Sequence, residues 1–116
     1  MDHTVDTKGG ITVVRLQGVI DVNEAAALRT LLERDVDSAA RGVLVDLSGV
    51  RLIDSSGIGV LVSVHRRAAE TGMAFGLAAC NDSVGRVFEL TRTNKLLRIF
   101  STVNVGLEGL ADSERG

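Results

Sequence analysis

Asp54-Ser55-Ser56-Gly57-Ile58-Gly59 holds the groups of this chain best placed to do chemistry. An apolar run, Val43-Leu44-Val45-Asp46-Leu47, precedes it and reads as a buried strand that passes through a short loop into the start of a helix. Two hydroxyls then stand at a helix N-terminus, with Ser55 or Ser56 as the expected cap. The first N–H groups of a helix have no intrahelical partner, and the helix dipole is positive there. Such an end favours an anion, either a capping carboxylate or a phosphate carried by serine. In the plainest reading the serines only cap, and Gly57 and Gly59 allow a tight turn and close helix–sheet contact.

Other chemistries lack a component. A nucleophilic serine needs a base within hydrogen-bond reach. The histidines are His3, in a polar terminus expected to be mobile, and His65, nine positions after Ser56. On one continuous helix those nine positions span ~13 Å. The hydrolase elbow Gly-x-Ser-x-Gly is absent, because Asp54 stands where its first glycine belongs. Gly57-Ile58-Gly59 is no dinucleotide loop, since the third glycine position holds Val62, and no Gly-Lys-Ser/Thr motif occurs. Asp21, Asp46 and Asp54 have no acidic or histidine cluster around them at metal-ligand spacing, so they read as caps and loop anchors. Cys80 ends an apolar stretch and reads as a core or strand-end residue, with nothing nearby to lower its pKa.

A phosphoacceptor needs only an exposed hydroxyl on a firm turn. Phosphate adds about −1.5 to −2 charge at pH 7, which the helix N-terminus tolerates while Asp54 and an acidic partner surface repel it. Folding would then survive a modification that binding does not.

The elements around this turn follow from composition and periodicity. The chain has 116 residues, 45% hydrophobic and 24% charged, enough for one domain with a core that needs neither disulfide nor metal. The formal charge of −2, from 13 basic and 15 acidic residues interspersed, gives no basic stripe for nucleic acid. There is no signal-peptide pattern and no apolar run of ~18 residues, so neither export nor a membrane partner is expected and the setting reads as cytoplasmic. Val5 to Lys8 and Ile11 to Leu16 read as strands around Gly9-Gly10. Asp21 or Asn23 caps a helix whose inner face is Ala25, Leu28, Leu31, Leu32, Val36 and Ala39. A second helix from Ser55 or Ser56 to Thr71-Gly72, a strand over Met73 to Ala79 and a short helix capped by Asn81 or Ser83 follow. The chain closes on a strand over Leu96 to Phe100 and a helix from about Val103 to Ala111, which Gly106 and Gly109 are expected to fray. This alternation predicts a single α/β domain over 1–116, core about 5–111, with a mixed, mostly parallel sheet of four to five strands and about four helices.

From about Ile11 to Leu110 the chain resembles the STAS domains of bacterial anti-sigma factor antagonists. The resemblance rests on Gly18-Val19-Ile20-Asp21, and on Asp46-Leu47-Ser48-Gly49-Val50 leading to Ile53-Asp54-Ser55-Ser56-Gly57-Ile58-Gly59-Val60-Leu61. It implies a partner switch rather than an enzyme. The unphosphorylated protein would bind an anti-sigma factor that is also a serine kinase and so free the sigma factor. The kinase would spend ATP to phosphorylate Ser56 and dissociate the complex, and a metal-dependent serine/threonine phosphatase would reset it. The protein itself would need no cofactor. Asp21 and Asp54 would orient the loop or contact the kinase, with Ser55, Ser56, Gly57 and Ile58 completing the contact. Thr91-Arg92-Thr93-Asn94-Lys95 departs from the family pattern, where a glycine is usual, as do Gly106 and Gly109. A STAS module that binds without switching, in a signalling or transport complex, is the other reading the resemblance admits.

Overall fold

Gly9 and Gly10 both have positive φ, 59° and 83°, the backbone that a two-residue hairpin turn demands and that glycine adopts without strain. The turn joins β1 (Asp2–Lys8) antiparallel to β2 (Ile11–Ile20), with Lys8 opposite Ile11 and Asp2 opposite Gln17. His3 is thereby paired with Leu16 in a strand rather than lying in a mobile terminus. The computed structural model describes residues 1–113.

The remaining elements are α1 (Val22–Ser38), β3 (Gly42–Ile53), α2 (Ser55–Glu70), β4 (Ala74–Ala78), α3 (Asp82–Leu90), β5 (Ile99–Phe100) and α4 (Val103–Ser113). The strands lie side by side in chain order, β1-β2-β3-β4-β5, and every pairing after the first hairpin is parallel. Among the described residues the sheet is mixed and mostly parallel with five strands, within the four to five expected, and is accompanied by four α-helices. One face, under α1, α2 and α3, buries Val14, Leu16, Leu28, Leu32, Val45, Leu61 and Phe88, each fully inaccessible. Burying such a side chain stabilises the fold by about 1.5–3 kcal/mol. The other face, under α4, is a smaller cluster of Ile11, Leu44, Ala78 and Leu110.

β3 is longer than the sequence suggests. The loop expected after Leu47 is instead strand as far as Ile53, carrying two irregularities against β2. Arg15 pairs with Asp46 but Gln17 with Gly49, and Gly18 pairs with Val50 but Val19 with Leu52, so β3 gains one extra residue at each place. Such bulges increase local twist and re-aim the strand. Asp46 accepts the Ser48 N–H at 2.9 Å beside the first of them. Polar Ser48-Gly49 mimics a loop in sequence while remaining inside the ladder.

The C-terminal region also differs from expectation. β5 is only Ile99–Phe100, because Thr93–Lys95 forms a 3₁₀ turn entered through Arg92 at φ 60°. The Thr93 hydroxyl donates to Phe88 O at 3.4 Å, and the Thr91 and Thr93 hydroxyls share a hydrogen bond at 2.8 Å, holding the end of α3 against that turn. α4 does not stop at Ala111, and its glycines are contact points rather than weak points. A methyl group at Gly106 would approach Leu44 Cδ1 to 2.9 Å, and one at Gly109 would strike the Phe100 ring. What glycine costs in helix propensity is offset by closer packing on the sheet.

Candidate functional site

Ile20 and Ile53 end β2 and β3 side by side, and each is followed by an aspartate that caps the next helix. Asp21 Oδ1 accepts the Asn23 N–H at 2.9 Å and opens α1. Asp54 Oδ1 accepts the Ser56 N–H at 2.9 Å and the Gly57 N–H at 3.2 Å and opens α2. The Asp54 N–H in turn donates to Ile20 O at 3.1 Å, which fastens the two turns together. Two helix N-termini thus stand next to each other at the carboxyl end of the sheet, where open α/β folds place their sites.

The cap of α2 is Asp54 and neither serine, because a β-region residue whose carboxylate reaches two N–H groups outcompetes a hydroxyl that reaches one. Ser55 and Ser56 are consequently the first two residues of the helix itself. Ser55 is exposed and Ser56 half-buried. Neither hydroxyl has a side-chain hydrogen bond among the described residues. Asp54 already occupies two of the donors that an anion would seek at this helix end, the Ser56 and Gly57 N–H groups.

The two glycines of the motif do different things. Gly57 is buried, and a methyl group there would come within 2.7 Å of both Ile20 Cγ2 and Ile53 Cγ1, so its absence lets α2 start directly on the ends of β2 and β3. Gly59 faces open space, with nothing within 4 Å of a Cβ built there. Ile58 is only 4% exposed and belongs to the core. The outward surface of the turn is therefore formed by Asp21, Asp54, Ser55, Ser56 and Gly59, while Gly57 and Ile58 hold it from beneath.

Two apolar side chains border this surface that the sequence reading passed over. Val22, the first residue of α1, is 68% exposed, and Leu52, the last residue but one of β3, is 59% exposed. Their signal in the sequence is an apolar residue directly after a cap and one in the alternation Arg51-Leu52-Ile53, where neighbouring strand residues face opposite ways.

Chemistry other than binding finds little support in the geometry. α2 runs unbroken from Ser55 through His65, so that imidazole lies ~13 Å along the axis from Ser56. Lower on α2, Ser63 accepts from Arg29 Nη1 of α1 at 2.6 Å, and Arg67 makes a two-pronged contact with Asp37 at 3.0 and 2.7 Å. The latter hydrogen bonds hold the Asp37 carboxyl below its ordinary range. Both contacts clamp α1 to α2, which share the task of carrying the two capped turns. Cys80 is half-buried against the core, and burial pushes its thiol above the usual range, opposite to what a reactive thiolate needs. Asn81 caps α3 through Val84 N–H at 2.8 Å and donates to Val50 O at 3.2 Å, buttressing the bulged end of β3. No helix of the described residues is long and apolar enough to cross a membrane.

Comparison with known proteins agrees with this architecture. The family description "STAS domain" matches residues 3–105. RsfB of Mycobacterium tuberculosis, an anti-sigma-F factor antagonist, is 29% identical over 107 residues, 92% of this chain and 87% of its own. BtrV of Bordetella bronchiseptica is 30% identical over 104 residues, 90% of this chain and 87% of its own. The crystal structure of an anti-sigma factor antagonist from Mycobacterium paratuberculosis superposes with a TM-score of 0.86 at 24% identity, over 95% of this chain and 93% of that one, and shares the fold.

Proposed function

This chain belongs to the STAS domain family, and on that premise we propose that it is an anti-sigma factor antagonist whose binding is switched off by a phosphate on Ser56. The observation that carries the reading is a serine hydroxyl without a partner among the described residues, on a turn made rigid by its own aspartate cap and by Gly57 packed against Ile20 and Ile53. A phosphoacceptor has to be presented to a kinase without local unfolding, and this turn does so.

In the unmodified state the surface of Asp21, Asp54, Ser55, Ser56 and Gly59, bordered by Val22 and Leu52, docks on an anti-sigma factor and frees its sigma factor. The anti-sigma factor is also the kinase. It transfers the γ-phosphoryl group of ATP to Ser56 Oγ, with ADP leaving and the hydroxyl proton passing to a base of the kinase. Because Asp54 already holds the Ser56 and Gly57 N–H groups, the phosphate stays at the surface and adds about −1.5 to −2 charge beside Asp54 and Asp21. An interface built around neutral serine then faces like-charge repulsion and buried, unpaired oxygens, and the complex separates. A metal-dependent serine/threonine phosphatase returns the protein to the binding state. The protein works in the cytoplasm as a binding partner and not as a catalyst; ATP belongs to the kinase.

Incubation of the purified protein with its anti-sigma factor and ATP, followed by peptide mass spectrometry, tests the modification. Phosphate should appear on the peptide containing Ser56 and vanish in Ser56→Ala, while that variant still binds. Phosphate confined to Ser55, or none while the kinase is active on another acceptor, contradicts the assignment.

A further inference from the structure

The outer edge of the sheet is formed by β1, whose seven residues are all exposed. Lys8 and Ile11 flank a two-residue turn and so form a hydrogen-bonded pair; the alternation of an antiparallel ladder then turns the N–H and C=O groups of Lys8, Asp6, Thr4 and Asp2 toward β2. Those of Thr7, Val5 and His3 point outward, away from the sheet. Thr7 N–H is in keeping with this: it goes to the neighbouring carboxylate, Asp6 Oδ1, at 2.8 Å, and not into the ladder.

We propose that a second copy of this chain pairs with that edge, β1 against β1 about a twofold axis through Val5, joining two sheets into one of ten strands. The sequence Asp2-His3-Thr4-Val5-Asp6-Thr7-Lys8 is self-complementary over all seven residues in that register. Val5 meets Val5, His3 meets Thr7, Thr4 meets Asp6, and Asp2 meets Lys8 of the other copy on both sides of the axis. The register also suits hydrogen bonding, since Val5–Val5 and the two His3–Thr7 pairs join the outward-facing groups while the charged pairs occupy the non-bonded positions, where side chains are closest. The Thr7 N–H exchanges Asp6 Oδ1 for a carbonyl of the partner strand, and Asp6 comes to face the Thr4 hydroxyl of the other copy.

The face above the edge fits as well. Val5 is 48% exposed and shares its side with Val14, which lies in the core beneath α1. Between β1 and α1 runs an open groove lined by His3, Ala26, Ala27, Thr30, Leu31 and Arg34. Antiparallel joining sends the two serine turns to opposite ends of the assembly, so both stay open and the dimer is independent of the Ser56 assignment.

Sedimentation of the full chain at rising concentration tests the proposal, with mass doubling expected before about 1 mM. Val5→Pro removes only an outward N–H, a change that edge strands tolerate, and should give a monomer with an unchanged circular dichroism spectrum. Asp2→Lys and Lys8→Asp should each weaken self-association by about fivefold or more, since each places like charges together twice. Mixed together, the two variants should dimerise with each other. A chain that is monomeric throughout, or a dimer indifferent to Val5→Pro and to the charge exchange, overturns the proposal.

Discussion

At the scale of single residues, one carboxylate decides how the candidate site is built. Asp54, one of the aspartates expected as caps or loop anchors, supplies the cap in place of Ser55 or Ser56, and thereby leaves both hydroxyls without a hydrogen bond among the described residues. Asp54→Ala should lower unfolding free energy by about 1 kcal/mol in urea titration, the usual cost of a lost N-cap, whereas Ser56→Ala should cost less because its hydroxyl caps nothing. Equal losses would return the capping role to serine. Asp35 is a different kind of residue. It is 6% exposed within α1, its Oδ2 has no partner among the described residues, and burial raises its pKa against the lowering influence of Arg34 and His3. A raised folded-state pKa favours the fold below the ordinary value of 3.8, and that contribution is lost as pH rises through the folded value. Asp35→Asn should therefore be more stable than the parent at neutral pH and show no such gain near pH 3, read as the difference between two thermal denaturation series. A constant difference across that range would show that desolvation of the charge is not the cause.

At the scale of elements, periodicity and caps made much of the fold legible. Helix α1, capped by Asp21 from the Asp21-or-Asn23 pair, the Gly9-Gly10 hairpin and the βαβ order all follow from spacing and turn chemistry. The bulged extension of β3 was hidden because Ser48-Gly49 has loop chemistry, and only the neighbouring β2 makes it strand. The last helix was misjudged for the converse reason: propensity counts Gly106 and Gly109 as penalties, while the cost of anything larger is set by Leu44 and Phe100, distant in sequence. Paired substitutions separate the two effects. Gly59→Ala, on an open helix surface, should stabilise by about 0.5–1 kcal/mol. Gly109→Ala, with the same gain in propensity, should destabilise by about 1–3 kcal/mol because the Phe100 ring must move. If both variants stabilise, the close packing of α4 on the sheet is not what those glycines serve.

At the scale of the whole molecule, the sheet gathers two capped helix starts at one end and gives the turn a firm base. The site motif itself was legible as a run of residues, but the division of labour within it was not: that Gly57 and Ile58 support while Gly59 and Ser55 face outward depends on which side of α2 lies on the sheet. The same holds for Val22 and Leu52, whose exposure next to the site cannot be read from their types. Leu52→Ser should leave thermal stability nearly unchanged yet weaken partner binding by about tenfold, as removal of an exposed apolar contact from an interface does. The central claim is a charge switch, and affinity measures it directly. Calorimetric titration of the anti-sigma factor with the unmodified protein and with protein carrying phosphoserine at position 56 should show affinity lower by about 100-fold or more for the phosphorylated form, with the fold intact. Equal affinities would contradict the switch and leave a STAS module that binds without one.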